Sequence, residues 1–397
     1  MGSPMADRGL RAFGGLTREF LTCDAIPSPA FVVNEVALRR NLSVLRGVMD
    51  RSGCRIIQAL KGFSMWSTFP IARQYLVGAA ASSLNEAKLA AEFGGEVHTY
   101  APAYLEHEFD EICALSHHVV FNSVGEFKRF ADRAVGKTQL GLRVNPQHSE
   151  GHTALYDPCS PGSRLGAIEA HVRPAWDAGE LAGMTGLHMH TLCEQNSDAL
   201  ERTVVALRTR FGDILREMDW INLGGGHHIT REDYDEARLE RVIKGLQDDY
   251  GLVVYLEPGE AVALNTGVLV STVLDVIEGE PDIAMLDTSA TAHMPDVLEM
   301  PYRPQLLDAG EPGEKTFTYK LGGLTCLAGD FVGSWSFDTP LKRGDRLIFG
   351  DMAHYTMVKT STFNGVNLPS IVLANSDTGD IRVVRTFGYD DFKNRLS

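Results

Sequence analysis

The sequence predicts an α/β fold: a closed (β/α)8 barrel of TIM type joined to a second, β-rich domain with a sandwich- or barrel-like sheet. Three observations carry this. Short apolar runs alternate with segments of helical periodicity from residue 56 to residue 257, and the number of such units favours a closed barrel over an open sheet. Beyond residue 264 helical periodicity fades, and short apolar runs follow one another between turns. The 397 residues also exceed what a single core usually serves, so two domains are expected.

Taken in order, residues 29–33 (Pro-Ala-Phe-Val-Val) read as a strand. Asn34 then caps a helix whose apolar positions Val36, Leu38, Leu42, Leu45 and Val48 recur near helical spacing. Strand 56–60 follows. Helix 67–77 leads to strand 79–82, helix 86–93 to strand 97–100, helix 106–115 to strand 118–122, and helix 125–134 to strand 139–145. The segment 147–167 is rich in Gly, Pro, His and Ser and reads as a long loop, of a kind often functional. Strands 186–190 and 220–223 flank the amphipathic helix 198–217, and helix 234–250 leads into strand 252–257. In the second domain, runs 268–276, 283–287, 316–321, 346–349, 371–374 and 381–385 read as short strands. The boundaries are drawn at 35–262 for the barrel, with 1–34 and 263–397 forming the β-rich domain.

Composition narrows the function classes. Hydrophobic content of 44% and charged content of 22% are ordinary for a globular protein. A net charge of −15 argues against binding a nucleic-acid backbone. No apolar run approaches the roughly 20 residues of a membrane helix, and residues 1–20 hold no apolar h-region, so neither a membrane partner nor a secretory signal is expected. The six cysteines are scattered without a Cys-x-x-Cys pair, which is neither a zinc pattern nor a disulfide framework. A reducing, cytoplasmic setting is the expectation.

In a (β/α)8 barrel, chemistry gathers at the C-terminal ends of the strands. Lys61 ends the apolar run 56–60, where an ammonium group is expected to be buried and therefore costly unless paired or neutral. His188 and His190 end another strand, and alternation points only one of them inward. Gly224-Gly225-Gly226 follows a strand and can present backbone N–H groups to an anion. Glu257 ends the next strand. Each has a plainer reading alone: a snorkelling lysine, a core histidine, a flexible turn, a solvated carboxylate. Together, an amine, an anion-binding turn and a carboxylate are the parts of a pyridoxal phosphate site, in which the lysine forms the Schiff base, the turn holds the phosphate and the carboxylate meets the ring nitrogen. The span from His188 to Cys193 makes no convincing metal site, and no metal is expected.

Ala59-Leu60-Lys61, Leu187-His188, Gly224-Gly225-Gly226, Glu257-Pro258-Gly259, Thr325-Cys326 and Ala353-His354-Tyr355-Thr356 occur in the order found in the fold type III pyridoxal-phosphate-dependent decarboxylases. That family includes ornithine, diaminopimelate and biosynthetic arginine decarboxylases. Longer strings, among them 59–66, 153–159, 187–195, 257–265 and 293–299, resemble its carboxynorspermidine/carboxyspermidine decarboxylases.

The resemblance implies roles by position. Lys61 would hold the cofactor and act in proton transfer, and His188 would stack on its ring. Gly224, Gly225, Gly226 and Tyr355 would bind the phosphate, and Glu257 would keep the ring nitrogen protonated. Cys326 lies where the family carries a cysteine supplied by a second subunit, which implies a homodimer with shared sites. The wider family reads Glu-Pro-Gly-Arg, with the arginine on the phosphate; here position 260 is Glu. Glu260, Asp296 and Asp330 would then meet the amines of a polyamine-like substrate. The implied activity is decarboxylation of carboxynorspermidine or carboxyspermidine in polyamine biosynthesis. A decarboxylase of ornithine, lysine, arginine or diaminopimelate is the nearest alternative. A racemase, or a pyridoxal-phosphate-binding protein without catalysis, stands further off.

Overall fold

The computed structural model describes residues 10–151 and 157–397. Residues 1–9, which enter the reading of a secretory signal, and residues 152–156, which belong to the loop 147–167 and the string 153–159, lie outside the described residues. Two compact units are formed, one by the described residues of Met1–Arg40 with Ala263–Ser397, the other by Asn41–Val262.

Strands are numbered along the chain. β1 (Ala30–Asn34) belongs to the sheet unit. β2 (Arg55–Ala59), β3 (Gly78–Ala81), β4 (Glu96–Tyr100), β5 (His118–Phe121), β6 (Gln139–Arg143), β7 (Met184–His188), β8 (Trp220–Asn222) and β9 (Val253–Leu256) make a closed parallel barrel. β9 closes on β2 through the pairs Arg55↔Tyr255 and Ile56↔Leu256. Helices cover the outside, so β3 and β5 are buried along their whole length. Serine and aspartate caps start several of these helices: Ser83 accepts from Glu86 N, Ser123 from Glu126 N, and Asp235 from Arg238 N.

One large side chain fills much of the barrel interior. Trp220 on β8 packs with Val120 and Tyr255. Gly141 on β6 and Gly186 on β7 make room for it, since a Cβ would lie 2.5 and 2.0 Å from its ring atoms.

The sequence reading departs from the structure at three places in this unit. The predicted helix 67–77 is a 3-10 turn, Trp66–Thr68, followed by a single helical turn, Phe69–Ala72. Pro70 belongs in a first turn, and Val77 is already drawn to Ile56 O of β2 at 3.1 Å. The helix Glu169–Asp177 was not expected, because the interior Pro174 weakens its signature. β7 ends at His188, so His190 lies beyond the strand and the expected strand alternation does not govern it.

In the sheet unit, β10 (Gly267–Ile277), β11 (Asp282–Leu286), β12 (Phe317–Gly322), β13 (Phe331–Phe337), β14 (Arg346–Phe349), β15 (Ser370–Ala374) and β16 (Ile381–Arg385) join β1 in an eight-stranded sheet. Its order is β13-β12-β11-β10-β1-β15-β16, with β14 pairing β10. The core against it includes Phe13, Leu16, Leu21, Val32, Val268 and Ile348. β13 escaped the sequence reading because Gly333, Ser334 and Ser336 dilute its apolar pattern. No helix among the described residues is long and apolar enough to cross a membrane. All six cysteines are free.

Candidate active site

The C-terminal ends of the barrel strands bring together Lys61, His188, the glycine turn, Glu257 and Glu260. Lys61 lies two residues past β2, in a turn closed by Gly62 N and Phe63 N on Ala59 O. A Cβ on Gly62 would stand 2.7 Å from Gly259 Cα, so this turn packs directly on the one that follows β9. The expected burial of Lys61 needs correction: its side chain is exposed. Its amine pKa is nonetheless lowered, first by the surrounding protein and then by the Arg143 cation. Both hold for a side chain reachable from inside a concave mouth, where nearby walls exclude much of the water that would stabilise an ammonium.

Glu257 follows β9 directly. One carboxylate oxygen accepts from Asn222 Nδ2 at 2.5 Å, and the other lies 3.7 Å from His188 Nε2. Burial pushes its pKa up, against the opposing pull of Asn222, Lys61 and Arg143. His188 ends β7 and is 2% exposed, yet neither ring nitrogen has a hydrogen-bond partner. Its ring meets Tyr100 edge-on at 5.3 Å. Burial, then Arg143 and Lys61, hold its pKa far below the usual histidine value. A buried imidazole with two bare nitrogens is an incomplete environment, of the kind a ligand completes.

The glycine turn is conformationally obligatory. Gly224 and Gly226 have φ of 71° and 81°, and a Cβ would come within 2.5 Å of Met189 O and 2.0 Å of Leu192 O, respectively. Its amides are not all available, as the sequence reading supposed. Gly224 N–H donates to Asn222 Oδ1 at 2.8 Å and Gly225 N–H to His190 Nδ1 at 3.0 Å.

Arg143, Glu194 and His228, to which the sequence reading gave no role in the site, also shape it. Arg143 ends β6, is buried, donates to His190 O at 3.0 Å and lies 4.7 Å over the Tyr100 ring. It could have been found as Lys61 was, as a charge closing an apolar strand. Glu260 Oε2 lies 2.9 Å from His228 Nε2, and Glu194 joins them, with one potential ligand atom from each within 4.8 Å of the others. Burial, then the negative Glu194 and Glu260, push the neighbouring Cys193 thiol up to about 11. His227, by contrast, turns inward with Nε2 3.3 Å from Leu223 O.

The remaining candidates belong to the sheet unit. Cys326 is exposed on the loop between β12 and β13, with its N–H on Asn364 Oδ1. Asp330 closes that loop. It is 3% exposed and accepts from Ser289 Oγ, Thr291 N and Thr325 Oγ1. Its oxygens are thus engaged within the unit, so the expected contact with a substrate amine gives way to a loop-holding role. Asp296 starts a short helix and is paired with Lys359. Tyr355 is half-buried with φ of 47°, a backbone conformation that a bulky residue holds only when its surroundings demand it.

A cavity of about 550 Å³, lined by Arg55, His118, Lys137 and Tyr255 among others, lies at the opposite, N-terminal end of the barrel. The reactive amine, the incomplete histidine and the raised carboxylate select the other end. These groups suit a cofactor with a carbonyl for an amine, a phosphate for an amide turn and a basic ring nitrogen for a carboxylate.

Comparison with known proteins agrees. Residues 21–353 match the family model of the pyridoxal-dependent decarboxylases, C-terminal sheet domain. The chain is 43% identical over 94% of its length to the carboxynorspermidine/carboxyspermidine decarboxylase of Campylobacter jejuni subsp. jejuni serotype O:6, covering 99% of that protein. It is 47% identical to the carboxyaminopropylagmatine decarboxylase of a Synechocystis species, over 94% of this chain and 96% of that one. A crystal structure of Campylobacter jejuni carboxynorspermidine decarboxylase complexed with norspermidine superposes with a TM-score of 0.85 at 42% identity, over 93% of this chain and 100% of that one. The chain therefore belongs to the pyridoxal-dependent decarboxylase family, and its cofactor is pyridoxal phosphate.

Proposed function

We propose that the substrate is a carboxylated triamine, carboxynorspermidine or carboxyspermidine, which loses its α-carboxyl group as CO2 to leave norspermidine or spermidine. The observation that carries this is the 43% identity, spanning nearly the whole of both chains, to a decarboxylase named for both substrates. The acidic pair Glu194 and Glu260 in the mouth supports it, since ammonium groups need carboxylates where water is scarce.

Pyridoxal phosphate, when bound, supplies the ring that accepts the electron pair released with CO2. Lys61 would hold it through Nζ, and the lowered pKa of that amine raises its nucleophilic fraction at neutral pH. Glu257 would face the ring nitrogen and hold a proton there, oriented by Asn222. His188 would cover one face of the ring. Gly226 and Tyr355 would contact the phosphate, while Gly224 and Gly225 fix the turn through Asn222 and His190. Glu260 would meet a substrate amine, with Asp296 exchanging Lys359 for another. Cys326 would return a proton to the α-carbon from a second copy of the chain, which makes the working unit a homodimer. The free cysteines suit a reducing cytoplasm.

The 47% identity to a carboxyaminopropylagmatine decarboxylase favours a second reading, in which the distal group is a guanidinium. One experiment separates them. The cofactor-loaded protein is offered carboxynorspermidine, carboxyspermidine, carboxyaminopropylagmatine, ornithine, lysine, arginine and diaminopimelate in parallel, and CO2 is measured. Release from the carboxylated triamines is expected. Release from carboxyaminopropylagmatine alone would replace the first reading by the second, and release only from a simple amino acid would remove both.

A further inference from the structure

The glycine turn by itself is a thin phosphate site. With Gly224 and Gly225 engaged, it offers the Gly226 amide, which has no hydrogen-bond partner among the described residues. A phosphate with three acceptor oxygens and nearly two charges calls for a cation as well. None follows the neighbouring Pro258-Gly259 turn, where Glu260 stands.

Among the three histidines beside the turn, two are already committed. His190 Nδ1 accepts the Gly225 amide, and His227 Nε2 turns back to Leu223 O. His228 remains. It lies two residues beyond Gly226, is 6% exposed, and its Nδ1 has no partner. Its Nε2 is 2.9 Å from Glu260 Oε2, an ion-pair contact whose angle falls outside hydrogen-bond geometry. The ring is thus placed from one side, and on the other Nδ1 is buried without a partner.

We infer that His228 is the cation of the cofactor's phosphate site, with Nδ1–H donating to a phosphate oxygen and Glu260 as its positioning residue. A phosphate oxygen at Nδ1 requires that nitrogen to donate, and the Glu260 carboxylate 2.9 Å from Nε2 complements a proton on the other. The inference rests on the phosphate lying at the glycine turn and is independent of which amine is decarboxylated.

The test compares the affinities of the cofactor-free protein for pyridoxal phosphate and for pyridoxal, read from the absorbance of the lysine-bound form. His228→Phe is expected to reduce the preference for the phosphorylated form by about 10- to 100-fold, the size of one charge-assisted hydrogen bond, while pyridoxal affinity stays within about threefold of wild type. His228→Asn keeps an N–H donor near the position of Nδ1 and is expected to recover part of the preference, which a merely structural histidine would not do. Equal weakening of both ligands, or an unchanged preference in both variants, overturns the inference. Gly226→Ala is measured alongside. If it lowers the preference and His228→Phe does not, only the role of His228 falls; if neither does, the phosphate lies elsewhere and the proposed placement falls with it.

Discussion

The two ends of the barrel carry the same kinds of side chain and treat them differently. At the N-terminal floor, Glu96 meets Arg55, Tyr255 Oη and His98 Nε2, while the His98 and His118 rings stack at 3.9 Å. Burial raises the Glu96 pKa, but hydrogen bonds from His98 and Tyr255 and the Arg55 charge outweigh it and bring the pKa down to about 2. At the mouth, Lys61 is pushed down, Glu257 is pushed up and neither ring nitrogen of His188 has a hydrogen-bond partner. Both ends shift their groups, and burial pushes the floor histidines down as it does His188. The carboxylates separate the two ends: partners hold Glu96 in its charged form, whereas burial prevails over the partners of Glu257, beside an amine that is itself pushed toward neutrality.

Variants at each end can break this contrast. The largest effect is expected from Lys61→Ala, which should remove the absorbance band of lysine-bound cofactor and lower turnover by about 10³-fold or more, with the urea midpoint of the cofactor-free protein unchanged. A retained band would refute the assignment of Lys61. Glu96→Gln should do the reverse, costing about 2–3 kcal/mol of stability at pH 7 and leaving turnover per folded molecule intact. The sign follows from a folded pKa of about 2 against an ordinary value of 4.5: the stabilisation is present above pH 4.5 and is lost as pH falls toward 2. Loss of activity without loss of stability would erase the distinction between the two ends.

The smallest expected effect sharpens the contrast within the floor. Burial, then His98, lower the His118 pKa to about 3, against 6.5 ordinarily. Below pH 6.5 the unfolded chain takes up a proton that the folded chain refuses, so stability falls toward pH 3. His118→Phe should remove about 1 kcal/mol of the loss between pH 6.5 and 5.5, seen as a flatter dependence of the urea midpoint on pH. An unaltered slope would show that His118 is already protonated in the folded protein.

Much of this was legible in the sequence because barrel periodicity is a local property. All eight barrel strands lie within a few residues of their expected positions, and Lys61, His188 and Glu257 stand at strand ends. What escaped was set by partners distant along the chain. His228 became informative only when Glu260, thirty-two positions later, was seen against its ring. Asp330 reads as a free acid until Ser289, Thr291 and Thr325 are found on its oxygens. The glycine triplet read correctly as a turn but not as a partly occupied one, because His190 reaches Gly225 from beyond the end of β7, thirty-five positions away, and the bond from Gly224 N–H to Asn222 at the end of β8 is a matter of side-chain orientation.

Trp220, seated in the volume left by Gly141 and Gly186, makes the barrel a cup and not a tube. A cup has one rim. A carboxylated amine, the gas it releases and the polyamine it leaves behind would all have to cross that rim. Carbon dioxide is small and uncharged and can leave past a polyamine still held by carboxylates. The slow traveller would then be the polycation, and the acids that admit the substrate would also delay the departure of its product.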